Sequence, residues 1–384
     1  MEKSATDRYL CQAVMRACDV LEAFQDTGNQ LRLKEVAAKT GLSAATAFRI
    51  LYTLEQRGLV ARVGQKRYRL NFRPPRRRRY RIGFANQGEG FSFTRQVGEG
   101  IIAAAQEAEV DLLVLDNHYS AKAALKNAER FVREKVDLAI EFQTDEQVAP
   151  VISSKLLGAD IPIIAVEIPH PGATFFGADN YKAGYIGGRY LARWAKHNWQ
   201  KPPDEVILLA LPIAGPLPRS RLVGTIDGIR EIFPQLDDSQ ITWLDGNGQF
   251  SRSLEVVRKY LPHTRARYIL VGGINDPSVL GALRAFEEAG RANTCAVIGQ
   301  NATPEGRAEL RRPHSRLVGT VAYFPERYGA SLIRLAIDIL EHKPVPPAVF
   351  VRHRLLTKEN VDRVYPNDAL LSPTEIDITL LKGH

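Results

Sequence analysis

The run from Leu33 to Leu59 leaves a chain few choices. Val36 and Ala37 supply the inner face of a short helix, Gly41 a tight turn, and Ser43 an N-cap for a second helix starting at Ala44. In that second helix Ala47, Ile50, Leu51 and Leu54 recur at helical spacing and face a core, which turns Ala45, Thr46, Arg49 and Thr53 outward. Gly58 ends it. Residues 59–63 and 66–70 have strand character about Gly64 and Gln65, which predicts a hairpin. Helix, turn, helix and hairpin together make a winged helix-turn-helix. Small residues at the start of the second helix let its backbone approach base edges, and Arg49 reaches a guanine edge or a phosphate, so the outward face suits double-stranded DNA. A small helical domain that binds protein satisfies the same pattern.

Charge separates these two readings. The chain of 384 residues carries a net charge of +9, but residues 1–81 hold 18 Lys and Arg against 7 Asp and Glu, and the remainder 34 against 36. All of the excess lies in the head. No acid occurs between Glu55 and Glu89, while Arg57, Arg62, Lys66, Arg67, Arg69, Arg73, Arg76, Arg77, Arg78, Arg79 and Arg81 accumulate there. A phosphate backbone is the natural partner of such a run. Ser43, Ala45, Thr46, Arg49 and Thr53 on the helix, Lys66 and Arg67 on the wing, and the four consecutive arginines are therefore the candidate DNA contacts. Pro74 and Pro75 stiffen residues 73–80 into a linker, which puts Arg76 to Arg79 where they touch phosphates or enter a narrow minor groove.

The runs Arg16 to Phe24, Leu33 to Gly41 and Ser43 to Leu59, continued by Tyr68-Arg69-Leu70, resemble the N-terminal domain of IclR-type transcriptional regulators. The resemblance covers about the first fifth of the chain. It implies that Thr46 and Arg49 lie on the DNA-reading helix and that a helix from about Tyr9 to Phe24 packs beneath it and helps to dimerise. Nothing after residue 82 resembles the usual IclR effector domain.

From Tyr80 the texture changes to short apolar strands alternating with amphipathic helices. Strands are predicted at 80–85, 111–116, 136–140, 161–166, 205–211, 240–244, 268–271 and 296–299, with helices at about 93–108, 121–134, 146–157, 182–197, 219–232, 251–261 and 277–289. This is an α/β pattern of parallel sheets covered on both faces, and it restarts midway, which implies two doubly wound lobes. Loops beyond the strand ends of two facing sheets make a ligand cleft.

Ile82 to Asn86, Gly177 to Gly184, Arg219 to Gly224, Gly273 to Leu283 and Thr320 to Pro325 resemble the type 1 periplasmic binding protein superfamily, in the sugar-receptor branch shared with lac-repressor-like regulators. The resemblance spans 80 to about 365. It implies lobe 1 at about 80–182 plus 322–350 and lobe 2 at about 183–321 plus 351–365, after a head at 1–72 and before a tail at 366–384. It also implies sugar contacts at Phe91, Phe93, Gln143, Glu167, Asn180, Arg219, Asn275, Asn301 and Tyr323. Amides and carboxylates pair with vicinal hydroxyls, an arginine adds charge-assisted donors, and aromatic faces cover the apolar side of a ring. Singly, Asn180 and Asn275 also read as loop caps, and Phe91 or Tyr323 as core. Three positions depart from the sugar-receptor pattern: Phe93-Thr94 replaces two adjacent aromatics, Glu167-Ile168 an Asp-Arg pair, and Asn301 an Asp.

Other functions find little support. Neither a signal-peptide core nor a membrane-spanning run is present, so a cytoplasmic protein is expected. Cys11, Cys18 and Cys295 lack disulfide or metal-ligand spacing and read as small buried hydrophobes, with Cys11 and Cys18 in a core or dimer seam. His118, His170, His263 and His314 have no nucleophile or carboxylate at interpretable spacing, and Gly187-Gly188 is no phosphate loop. The expectation is a homodimeric, sugar-responsive transcription regulator on a palindromic operator, with no cofactor, metal or catalytic set. A transporter's solute receptor and a sugar-processing enzyme are the rivals.

Overall fold

The computed structural model describes residues 10–24, 30–64, 67–71, 80–199 and 201–368. The chain divides into two compact units, residues 1–79 and 80–384. Lys66, the linker arginines Arg76 to Arg79 and the tail beyond residue 368 lie outside the described residues.

The head contains α1 (Gln12–Glu22), β1 (Gln30–Arg32), α2 (Leu33–Thr40), α3 (Ala44–Gln56), β2 (Val60–Val63) and β3 (Arg67–Leu70). Gly41 takes φ +66°, a left-handed conformation that costs glycine little, and so turns the chain sharply between α2 and α3. The Ser43 hydroxyl then accepts from the Thr46 amide at 3.2 Å, satisfying one of the free N–H groups at the start of α3. Ala47, Leu51 and Leu54 are buried with Val20, Phe24, Leu31, Val36, Val60 and Tyr68 in one small core. The β2–β3 hairpin is the wing. β1, which the sequence reading did not anticipate, pairs with β3 and makes the wing three-stranded.

Of the two places read for Cys11 and Cys18, the core fails and the dimer seam remains. Cys11 and Cys18 are exposed, and only Cys295 is buried. Val20 is the sole buried residue of α1, which leaves Leu10, Val14 and Met15 about half exposed. Among the described residues of the head, nothing covers this apolar face.

The second unit holds two six-stranded sheets. Lobe 1 begins with β4 (Arg81–Asn86), α4 (Ser92–Glu107), β5 (Asp111–Asp116), α5 (Ala121–Glu134), β6 (Leu138–Glu141), α6 (Ala149–Leu157), β7 (Ile163–Val166) and β8 (Thr174–Gly177). Lobe 2 follows with α7 (Asn180–Asn198), β9 (Glu205–Ala210), α8 (Pro216–Arg230), β10 (Ile241–Asp245), α9 (Phe250–Tyr260), β11 (Ile269–Gly273), α10 (Asp276–Glu288), β12 (Cys295–Asn301), α11 (Pro304–Arg311) and β13 (Leu317–Ala322). The chain then returns to lobe 1 for α12 (Tyr328–Leu340) and β14 (Ala348–Phe350), and ends in lobe 2 with β15 (Arg354–Leu356) and α13 (Val361–Val364). Three passes between the lobes form the hinge.

The sheet of lobe 1 runs β14-β8-β7-β6-β4-β5 and is parallel throughout. That of lobe 2 runs β10-β9-β11-β12-β13-β15, parallel except for the antiparallel edge strand β15. Strands buried on both faces explain the near-continuous apolar runs at 138–140, 163–166 and 205–210. α7 starts at Asn180 as one unbroken helix packed on α8, so residues 180–182 belong with lobe 2 and not lobe 1. It approaches α8 through Gly184, Gly188, Gly224 and Gly228, where a Cβ would overlap backbone of the facing helix.

Candidate functional site

Strand ends of both lobes open onto one cavity of about 300 Å³. From lobe 1 come the loop and first turn of α4 (Phe91, Phe93), the end of β5 (Asn117, Tyr119), the segment after β6 (Phe142, Gln143) and the segment after β7 (Glu167, Ile168). Lobe 2 contributes the 211–218 segment, Arg221 of α8, Ile274 and Asn275 before α10, and Asn301 with Thr303 after β12.

Arg221 is its electrostatic centre. It is 5% exposed, and its Nε and one terminal nitrogen donate to Asn180 Oδ1 at 3.0 and 2.6 Å, while the other donates to the Ile274 carbonyl. The Tyr323 ring lies beneath it, 5.0 Å from ring centre to guanidinium carbon. Across the cleft the Glu167 carboxylate stands 3.9 Å away, accepting from the Tyr328 hydroxyl at 2.7 Å. Burial pushes the Glu167 carboxyl above the usual range, and Arg221 and Tyr328 pull it back. Glu167 and Asn301 have φ of +63° and +90°, unfavourable for side chains other than glycine, so the fold spends stability to aim both groups.

The sequence-derived candidates separate clearly. Phe91, Phe93, Gln143, Glu167, Asn275 and Asn301 line the cavity. Asn180 and Tyr323 stand behind Arg221 as its acceptor and its platform. Asn275 also caps α10, accepting from the Ser278 amide at 3.0 Å, so the cap reading and the cavity reading both hold. Gln143 is buried, its Oε1 accepts from the Asp145 amide at 2.6 Å, and its Nε2 has no partner among the described residues.

Arg219 requires correction. It lines a separate outer depression and stacks over Trp243 at 5.1 Å. Two residues on a helix are about 200° apart, so only one of Arg219 and Arg221 can face the cleft. The signal was present in the sequence: Leu222, Thr225, Ile226 and Ile229 set the buried phase of α8, and Arg221 falls within it while Arg219 does not. Tyr119, Phe142, Ile168 and Ile274 were also missed, because no residue type marks which side of a loop faces a cavity.

On the head, Ala45, Arg49 and Thr53 are exposed and Thr46 is half-buried, all on α3, while Arg67 is exposed on the wing. Three hydroxyls are used locally: Thr53 donates to the Arg49 carbonyl at 2.8 Å, and those of Ser43 and Thr46 lie 2.9 Å apart.

Glu141, at the end of β6, is fully buried, with neither carboxylate oxygen hydrogen-bonded among the described residues, and burial pushes its carboxyl well above the usual value. The unfolded group titrates near 4.5. Because the folded pKa is raised, stability is fully present below about that pH and is lost as pH rises through the folded value. Glu141→Gln is therefore expected to raise the Tm over wild type at pH 8, the gain shrinking to nothing near pH 4. Paired melting curves from pH 4 to 9 check this.

A winged head and a two-lobed body with a polar, aromatic-walled cleft define a ligand-responsive DNA-binding regulator. The chain belongs to the periplasmic binding protein domain family, whose profile it matches over residues 82–344, and it carries an IclR helix-turn-helix domain at 13–64. Ribose import binding proteins of Salmonella typhimurium and Escherichia coli are each 24% identical over 267 residues, covering 68% of this chain and 85% of theirs. A solute binding protein of Bacillus halodurans C-125 with bound myo-inositol superposes with a TM-score of 0.65 at 19% identity, over 76% of this chain and 99% of that one. One from Actinobacillus succinogenes 130z with bound D-allose gives 0.64 at 20% identity, over 74% and 99%.

Proposed function

We propose that the protein is a one-component transcription regulator whose affinity for operator DNA is set by a small sugar or polyol held between the lobes. The observation that carries the reading is the convergence of Arg221, Glu167, Gln143, Asn275 and Asn301 with Phe91 and Phe93 on one cleft, in a chain whose other unit is a DNA-reading head. Guanidinium, carboxylate and amides match vicinal hydroxyls, and the rings match an apolar sugar face. Relatives that take ribose, D-allose and myo-inositol support the same ligand class.

The effector acts only through its different affinity for open and closed lobes. In this structure Ser92 of lobe 1 donates to Glu305 of lobe 2 at 2.8 Å, and Glu167 faces Arg221 across the cleft, so closure has its own contacts for a ligand to reinforce. Phosphate contacts fall to Arg49, Arg67, Lys66 and Arg76 to Arg79. The exposed apolar face of α1 supports a homodimer, hence a palindromic operator and work in the cytoplasm. No helix among the described residues is long and apolar enough to cross a membrane.

The test is a thermal-shift screen of the full chain against sugars, polyols and sugar acids, since a ligand at a hundred times its Kd adds about 2.7 kcal/mol. Any hit is then added to the chain bound to duplex DNA. A hit that changes DNA affinity establishes the reading. A hit without effect on DNA points to a receptor, turnover of the hit to an enzyme, and a silent panel removes the sugar assignment.

A further inference from the structure

The outward stripe of α3 is less polar than its sequence suggested. Phe48 and Tyr52 are 42% and 51% exposed, one helical turn apart, their rings stacked with centres 6.3 Å apart and planes 28° apart. Arg49 lies to one side of the pair on α3 and makes no ion pair among the described residues. The stripe therefore presents Ala45, Phe48, Arg49, Tyr52, Thr53 and Gln56. Thr53 and Thr46 already spend their hydroxyls within the helix and its cap.

We propose that Phe48 and Tyr52 are sequence-reading contacts, their rings covering the C5-methyl groups of thymines in the major groove. This rests on the DNA-binding reading of the head. Phe48 has no hydrogen-bonding atom and gains nothing from a phosphate, so the one base-edge group it recognises is apolar, and the thymine methyl is the only apolar group the major-groove edges carry. Two aromatic rings left in water on the face that enters the groove are buried there, with a gain of the size of a methyl removed from water. Arg49, beside them, holds the charge that brings this face to DNA. Operator half-sites then contain thymine at one or two fixed positions beside the contact of Arg49.

The experiment starts by selecting duplexes from a random pool with the full chain, then replaces each thymine of the selected duplex singly by deoxyuridine, which lacks only the methyl group. Wild type is expected to lose about fourfold in affinity at each contacted thymine. Phe48→Ala should lose affinity for the thymine duplex and become indifferent to deoxyuridine at one of those positions, and Tyr52→Ala at a neighbouring one. Both side chains are exposed, so neither variant removes core packing.

The proposal is overturned if no thymine is sensitive, or if Phe48→Ala keeps the full deoxyuridine penalty. It is equally overturned if Phe48→Ala turns a dimer into a monomer by sedimentation, which would make the rings a contact between copies. Failure to select any duplex would take down the regulator reading with it, whereas selection without methyl sensitivity sinks this proposal alone.

Discussion

Truncating Arg221 to alanine is expected to destabilise the body by about 3–5 kcal/mol and to abolish effector binding. The change leaves the Glu167 carboxylate buried without its counter-charge, and strips the Asn180 amide oxygen and the Ile274 carbonyl of their donors. Arg219→Ala, two residues away, removes only a surface stacking contact on Trp243 and should cost about 1 kcal/mol or less. The loss at Arg221 has a pH signature. Without the guanidinium the Glu167 carboxyl rises further, so the destabilisation is smallest at acid pH and grows as pH climbs through the raised value. Adding Glu167→Gln to Arg221→Ala should recover much of the stability and none of the binding. Urea unfolding of the four chains at pH 5 and 8, beside thermal shift with any effector found, checks each point. Equal costs at Arg219 and Arg221 would remove Arg221 from the centre of the site.

The second large effect is expected at the crossing of α7 and α8. A Cβ on Gly184 would lie 1.7 Å from the Arg221 carbonyl oxygen, and one on Gly188 would lie 2.0 Å from that of Thr225. Backbone cannot yield as a flexible side chain does. Gly184→Ala should therefore cost about 3 kcal/mol or more, where glycine to alanine inside a helix otherwise gains about 0.5–1 kcal/mol. The opposite sign makes the result decisive. Parting the helices also displaces the carbonyl of the residue that anchors the cleft, so effector affinity falls with stability. Unfolding by urea gives the first number and binding in the surviving folded fraction the second. A neutral or stabilised Gly184→Ala chain would mean that the helices do not meet as closely as described.

These two predictions mark where sequence reasoning succeeded and where it stopped. The turn at Gly41, the cap at Ser43 and the buried phase of α3 were legible, because each depends on neighbours within about one helical turn. The alternation of strands and helices was legible for the same reason, down to the bounds of β5 and α5. Short strands were not: the edge strands β1, β14 and β15 and the inner strand β8 are three or four residues long and exist because another strand accepts them.

The cleft shows the same division. Residue types suited to a polyol could be nominated from loops after strand ends, and six of the nine line the cavity. Choosing Arg221 over Arg219 required the rotation of α8, and seeing Asn180 and Tyr323 as supports for Arg221 required knowing what lies behind it. Cys11 and Cys18 went the other way: helical spacing put them on one face, and the core of the head does not take that face in.

What the sequence determined by itself was local: element types, the helix-turn-helix, the charge of the head and the chemistry available to the cleft, all governed by short-range geometry and composition. What only the tertiary structure decided was which side chains face each other across distant segments. The Glu167–Arg221 pair, the glycine crossing and the exposed rings of Phe48 and Tyr52 depend on packing between elements, and packing is set by the three-dimensional arrangement of surfaces that no single stretch of chain encodes.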